Sequence, residues 1–192
     1  MTLLSIAQLG QKVLREKAKS VENVEEIQTL IDDMLATLKD FNGVGLAAPQ
    51  VYKSLRLFIV ASHPNPRYLD APKMRPTPMI NPKIIDLSGK IIKDWEGCLS
   101  IPGVRARVPR YTRVKIKYTD KKGKIKTGIY EDFIAKIVQH EYDHLEGLVF
   151  LDRVESSKDI ITEKEFQRIV IKASKKQRHK ASKEEDAGTT GS

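Results

Sequence analysis

The sequence predicts an α+β fold, and three observations carry that prediction. Apolar residues recur at helical spacing near the start of the chain and again over 130–146, the stretch from Met79 to Thr127 is mostly of period two, and helices and strands come in blocks rather than in βαβ alternation.

In chain order, Ile27, Leu30, Ile31, Met34, Leu35 and Leu38 mark an amphipathic helix over 24–40, with Asn23 and Glu26 as a capping pair at its start. The run Gly43-Val44-Gly45-Leu46-Ala47-Ala48-Pro49-Gln50 is too glycine-rich and small for an ordinary helix, which suggests backbone that something approaches closely. A β-like run follows over Leu55–Val60. Five of the nine prolines fall between Ser62 and Pro78, so that stretch is expected to be a long, mobile surface loop. In the period-two region, turns are expected at Ser88-Gly89 and over Asp120–Gly123, the second joining Val114–Tyr118 to Lys124–Thr127 as a hairpin. A second helix is predicted over 130–146, with Phe133, Ile134, Ile137, Glu141, His144, Leu145 and Leu148 along a common side. A third is predicted over 162–173 around Phe166, Ile169 and Val170, before Lys175, Lys176, Arg178, Lys180 and Lys183. The expected organisation is one catalytic domain over 1–172 and a basic, flexible tail over 173–192.

At 192 residues the chain is long enough for one real core, so a single catalytic centre is expected. No apolar run has the length of a membrane span, and Gln8, Gln11, Lys12, Arg15 and Glu16 interrupt any signal-like N-terminal segment. Cys98 is the one cysteine, which excludes an intrachain disulfide and fits a reducing compartment. The expected location is therefore the cytoplasm, with no membrane partner. A net charge of +9 points to an acidic partner such as RNA or a ribosome surface, but says little about mechanism.

Mechanism is carried by His140-Glu141-Tyr142-Asp143-His144, an H-E-x-x-H pattern on a predicted helix. Four helical positions advance about 400°, which leaves the two imidazoles within roughly 40° of one another and able to share a metal ion. Glu141 is close enough on the same helix to serve a water without being a ligand. A catalytic site normally takes a third protein ligand. In one peptidase clan it is a histidine at the position held here by Phe150; in another it is a downstream glutamate, for which Glu163 and Glu165 are candidates. The bland alternatives are that the histidines are satisfied polar residues of a packed helix, that Cys98 is a small buried hydrophobe and that Gln50 caps a turn.

Three motifs in order, Gly43 to Gln50, Glu96-Gly97-Cys98-Leu99-Ser100 and Gln139 to His144, resemble those of the peptide deformylases, and the resemblance extends from Leu14-Arg15 to about Arg153. It implies antiparallel β-sheets packed around a central helix that carries the H-E-x-x-H motif, with N-terminal and C-terminal helices. It implies Cys98, His140 and His144 as ligands of one divalent ion, Fe²⁺ natively, with Zn²⁺, Ni²⁺ or Co²⁺ able to substitute. Glu141 is then the general base, the Gln50 amide and the Leu99 N–H the donors to the developing oxyanion, and Val44, Gly45 and Gly97 the residues against which substrate lies. The implied reaction is removal of the N-formyl group from the initiator methionine of nascent polypeptides, in a bacterial-type cytoplasm or in an organelle if a presequence had been removed. Val44, Trp95, Phe133, Ile137 and His140 are the implied surroundings of the methionine side chain. Lys136 departs from the family, which often places an apolar residue there. Asp143 is expected to pair with Arg110. The basic tail is expected either to be a solvated charge run or to contact the ribosome. A zincin-type peptidase and a basic RNA-binding module are the competing function classes.

Overall fold

In the computed structural model, residues 1–64 and 71–171 are described. The tail from 172 onward, with every expectation that falls on it, lies outside them.

The first helix, α1 (Gln28–Asp40), follows a 3₁₀ turn at Glu25–Ile27. Asn23 starts that turn: its Oδ1 accepts from Glu25 N at 2.9 Å, and its Nδ2 donates to Glu26 at 3.1 Å. Ile31, Met34 and Leu38 are buried on one side of α1, against Leu46, Leu57, Ile59 and Ile80.

Six antiparallel strands form one sheet: β1 (Gly45–Ala47), β2 (Leu57–Ser62), β3 (Met74–Cys98), β4 (Ile101–Thr119), β5 (Ile125–Glu131) and β6 (Ile160–Thr162). Neighbours run β1-β2-β3-β4-β5, and β6 pairs with β4 through Val104–Ala106. The expected hairpin is present and longer than predicted, with Val114 opposite Tyr130 and Thr119 opposite Ile125.

Two expectations are corrected. Residues 74–78, assigned to a loop, belong to β3 despite Pro76 and Pro78. There β3 pairs only with β2, since its pairing with β4 begins at Ile80, and a strand with one open side tolerates proline's missing N–H. Within the remainder of that loop, residues 65–70 lie outside the described residues. Ser88-Gly89 is not a turn between strands but an irregularity inside β3, where the register against β4 shifts between Ser88 and Ile91. Gly89 has φ +81°, and a Cβ there would sit 2.3 Å from Thr112 Oγ1, so only glycine fits the bend.

The second helix, α2 (Asp132–Leu145), follows β5 directly. It packs against β1, β2, β4 and β5, so the sheet wraps it and its burial is not confined to one side. Val138, Gln139, His140, Glu141, Asp143 and His144 are all buried. A helix surrounded in this way can hold charged side chains only where they find partners or a ligand. The last helix, α3, occupies residues 163–171 and presents Phe166 to Trp95 of β3, ring centres 5.9 Å apart. No helix among the described residues is long and apolar enough to cross a membrane.

Candidate active site

Three elements bring the chemistry together. Cys98 ends β3 and is half-buried, while His140 and His144 project from α2 one turn apart, with ring centres separated by 5.1 Å. The ligand atoms offered by Cys98, His140 and His144 all lie within 4.8 Å of one another. Cys98 Sγ and His144 Nε2 are 3.4 Å apart. His140 Nδ1 is engaged by Glu96 Oε2 at 2.8 Å, so the nitrogen that His140 can offer the cluster is Nε2. A thiolate and two imidazoles in a buried pocket suit a borderline divalent ion, and the convergence of three such atoms fits one ion.

Glu141 lies beside this cluster and is 3 % exposed. Burial pushes its carboxyl up from the ordinary 4.5 to about 7, and its Oε2 has no hydrogen-bond partner among the described residues. A buried carboxylate oxygen without a protein donor, on a residue that lines the cleft, is suited to a water or a substrate N–H. Gly45 is what allows Glu141 to sit there, since a Cβ on Gly45 would stand 2.1 Å from its Oε1.

The 3₁₀ turn Ala48–Val51 delivers Gln50, whose Oε1 accepts from Ala47 N at 2.8 Å. That contact fixes the amide, and Nε2 then points to Cys98 Sγ at 3.2 Å and Ser100 Oγ at 3.3 Å. The N-terminal segment braces both motifs from outside, with Ala7 N donating to Gln50 O and Leu9 N to Ser100 O, each at 2.8 Å.

Behind the cluster lies a buried charge network. Arg110 donates to Glu96 Oε1 at 2.7 Å and to Asp143 Oδ2 at 2.6 Å, and Arg153 reaches Asp143 Oδ1 at 2.7 Å. Burial works against the Glu96 charge, but Arg110 and His140 outweigh it and hold the carboxyl at about 2. The same two carboxylates hold the Arg110 guanidinium above its ordinary value despite burial. The expected Arg110–Asp143 pair is therefore present, and Glu96 joins it to His140.

One cleft is lined by Val44, Gly45, Gln50, Gly97, Cys98, Leu99, His140 and Glu141. The cleft thus brings together the expected catalytic, metal-ligand and substrate-contact residues except His144, which reaches it through Cys98. Trp95 is not in its lining: the ring turns to Phe166, and only its carbonyl faces Lys136, 3.4 Å from Nζ. Glu163 and Glu165 do not serve as a third ligand. Glu163 pairs with buried Arg105, and Glu165 pairs with Arg168 at 2.9 Å. Sequence reasoning missed Arg105, whose guanidinium backs Gly97 so closely that a Cβ there would be 2.6 Å from Nη1. The glycine preceding Cys98 was the available signal.

The polypeptide deformylase family model matches residues 3–159. Peptide deformylase 2 of a Nostoc species is 55% identical over 175 residues, covering 90% of this chain and 98% of the relative. The peptide deformylase of Dictyoglomus turgidum is 39% identical over 163 residues, covering 84% and 99%. Among solved structures, a class I type b peptide deformylase from Acinetobacter baumannii bound to Met-Ala-Ser superposes with a TM-score of 0.78 at 44% identity, over 80% of this chain and 99% of that one. A peptide deformylase from Synechococcus elongatus in complex with actinonin gives 0.73 at 37% identity, over 81% of each. A match over most of the chain, together with relatives that it covers almost end to end, establishes that the chain belongs to the polypeptide deformylase family.

Proposed function

We propose that the chain hydrolyses the N-formyl group of the initiator methionine of nascent polypeptides, releasing formate. The observation that carries this is the convergence of Cys98, His140 and His144 within 4.8 Å, in the cleft that also holds buried Glu141. Cys98, His140 and His144 would hold a divalent ion, which when bound would supply Lewis acidity toward the formyl carbonyl and toward a water.

The chain's own residues do the rest. Glu141 accepts the proton of the attacking water as its oxygen bonds to the formyl carbon. The Gln50 Nε2–H and the Leu99 N–H donate to the oxygen on which charge gathers. As the C–N bond breaks, Glu141 returns the proton to the departing nitrogen, leaving formate and a free N-terminal amine. Buried beside the cluster and with no protein donor on Oε2 among the described residues, Glu141 is suited to both transfers.

Binding is read from the sheet. Among the described residues β1 ends the strand order, pairing with β2 on one side only, and Gly45 lies at the cleft, so a peptide can add its main chain along that edge. Gly97, backed by the Arg105 guanidinium, offers its main chain to the peptide from the same cleft. Val44, Phe133 and Ile137 provide the apolar recess for the methionine side chain.

The donor set is compatible with ferrous iron as the native ion, with Zn²⁺, Ni²⁺ or Co²⁺ as substitutes. A single catalytic domain over 1–172, a bacterial-type cytoplasmic location and ribosome contact through the basic tail complete the proposal; unchanged ribosome co-sedimentation after deletion of 173–192 would remove the last. A zincin-type peptidase is not favoured, because Glu163 is paired with Arg105 and Glu165 with Arg168, and the ligand cluster is completed by Cys98 instead. An RNA-binding module explains only the charge.

The test offers anaerobically iron-loaded protein a formyl-methionyl tripeptide, its acetyl counterpart and an unblocked peptide with internal bonds. Formate from the first alone supports the proposal; cleavage of internal bonds without formate release overturns it.

A further inference from the structure

Two cavities meet at one pair of side chains. The active cleft is walled on one side by Phe133, Lys136 and Ile137 of α2. A second cavity is lined by Ile92, Asp94, Tyr111 and Thr112 together with Phe133 and Lys136, so these last two residues face both spaces. Lys136 is ion-paired with Asp94 of β3, its Nζ lies 3.4 Å from the Trp95 carbonyl oxygen, and the same ammonium stands 5.0 Å from the centre of the Phe133 ring. The lysine side chain is only 11% exposed, against 52% for Asp94, so its aliphatic stem is covered while the charge it meets is half in solvent.

We infer that the Lys136–Asp94 pair is a partition that sets the depth of the methionine pocket and thereby determines substrate specificity. The inference rests on the deformylase reading of the cleft. Formyl hydrolysis beside Cys98 and Glu141 sends the substrate's first side chain toward Val44, Phe133 and Ile137, and the next obstacle along α2 is the stem of Lys136. Beyond it lies the second cavity, with apolar surface from Ile92, Tyr111 and Phe133. A side chain of methionine's length stops at the partition, and a longer unbranched one collides with it. The partition is held by a salt bridge with one half-exposed partner rather than by apolar packing. Removing the lysine leaves Asp94 half in solvent, so Lys136→Ala strands no buried charge.

The experiment uses metal-loaded protein and formyl tripeptides that differ only in the first residue, norleucine or 2-aminooctanoic acid. The wild type favours norleucine. In Lys136→Ala, kcat/KM for the longer residue relative to norleucine rises about tenfold, the gain expected from burying two further methylenes. Asp94→Ala, which unpins the lysine, moves the ratio the same way by less, and Lys136→Met, which refills the space, restores the wild-type ratio. An unchanged ratio in both alanine variants overturns the inference, as does a rise in Lys136→Met equal to that in Lys136→Ala. Calorimetric binding of the corresponding deformylated tripeptides reads the same length preference without turnover. A wild type that binds these peptides but releases no formate sinks the deformylase reading, not the partition.

Discussion

Glu96 Oε2 stands 2.8 Å from His140 Nδ1, which ties the residue two places before Cys98 to the first histidine of α2. The contact fixes the ring and raises the basicity of the nitrogen it offers to a metal ion. Glu96→Ala is therefore expected to weaken metal binding by about 10–100-fold, measured by competition with a chelator, with Cys98 and both histidines intact. Unchanged affinity would make the contact merely architectural.

Arg110 sits between two buried carboxylates, Glu96 and Asp143. Replacing it with methionine leaves both charges without their central partner, a loss of about 3–5 kcal/mol of stability by urea denaturation. The pH dependence follows from the depressed Glu96 pKa. Its stabilising contribution is complete above the ordinary 4.5 and is lost as pH falls toward about 2, so the stability gap between wild type and variant, full at neutral pH, narrows as pH falls through that interval.

Gly45→Ala places a methyl carbon 2.1 Å from Glu141 Oε1. The carboxylate must move by about an ångström, and kcat is expected to fall about 100-fold while metal content stays full. A variant with normal kcat would show that the position of Glu141 is not critical.

Glu141 carries the opposite linkage from Glu96. Burial raises its pKa from 4.5 to about 7, so ionising it costs stability as pH climbs through that interval. In chelator-stripped protein, Glu141→Gln is expected to stabilise the fold by about 3 kcal/mol at pH 8 and by little at pH 4. Equal melting temperatures for the two proteins at pH 8 would argue against a costly buried charge.

How far the sequence reached depended on how local each constraint was. His140, Glu141 and His144 share two turns of α2, and helical geometry alone aligned them. Cys98 comes from the end of β3, 42 positions before His140, so no periodicity could join it to them and only the motif resemblance did. The hairpin at Asp120–Gly123 was legible because its turn residues and alternation agree.

The errors came where one residue type serves two backbones. Gly89 supplies positive φ, which suits a turn or a bulge, and only the partner strand decides between them. Pro76 and Pro78 read as loop because the open side of β3 cannot be seen from the sequence. The Lys136–Asp94 pair joins residues far apart along the chain, and composition gave no sign of it; the Arg105 support beneath Gly97 crosses the β3–β4 turn, and the glycine alone hinted at it.

The central claim is that Glu141 moves the proton in formyl hydrolysis. Its most direct measurement is single-turnover formate release from a formyl-methionyl tripeptide by wild type and Glu141→Gln, both loaded anaerobically with iron to equal metal content. Rapid release by the wild type and a loss of about 100-fold or more in the variant are expected, within the range of general acid–base catalysis. Equal rates at equal metal content would contradict it.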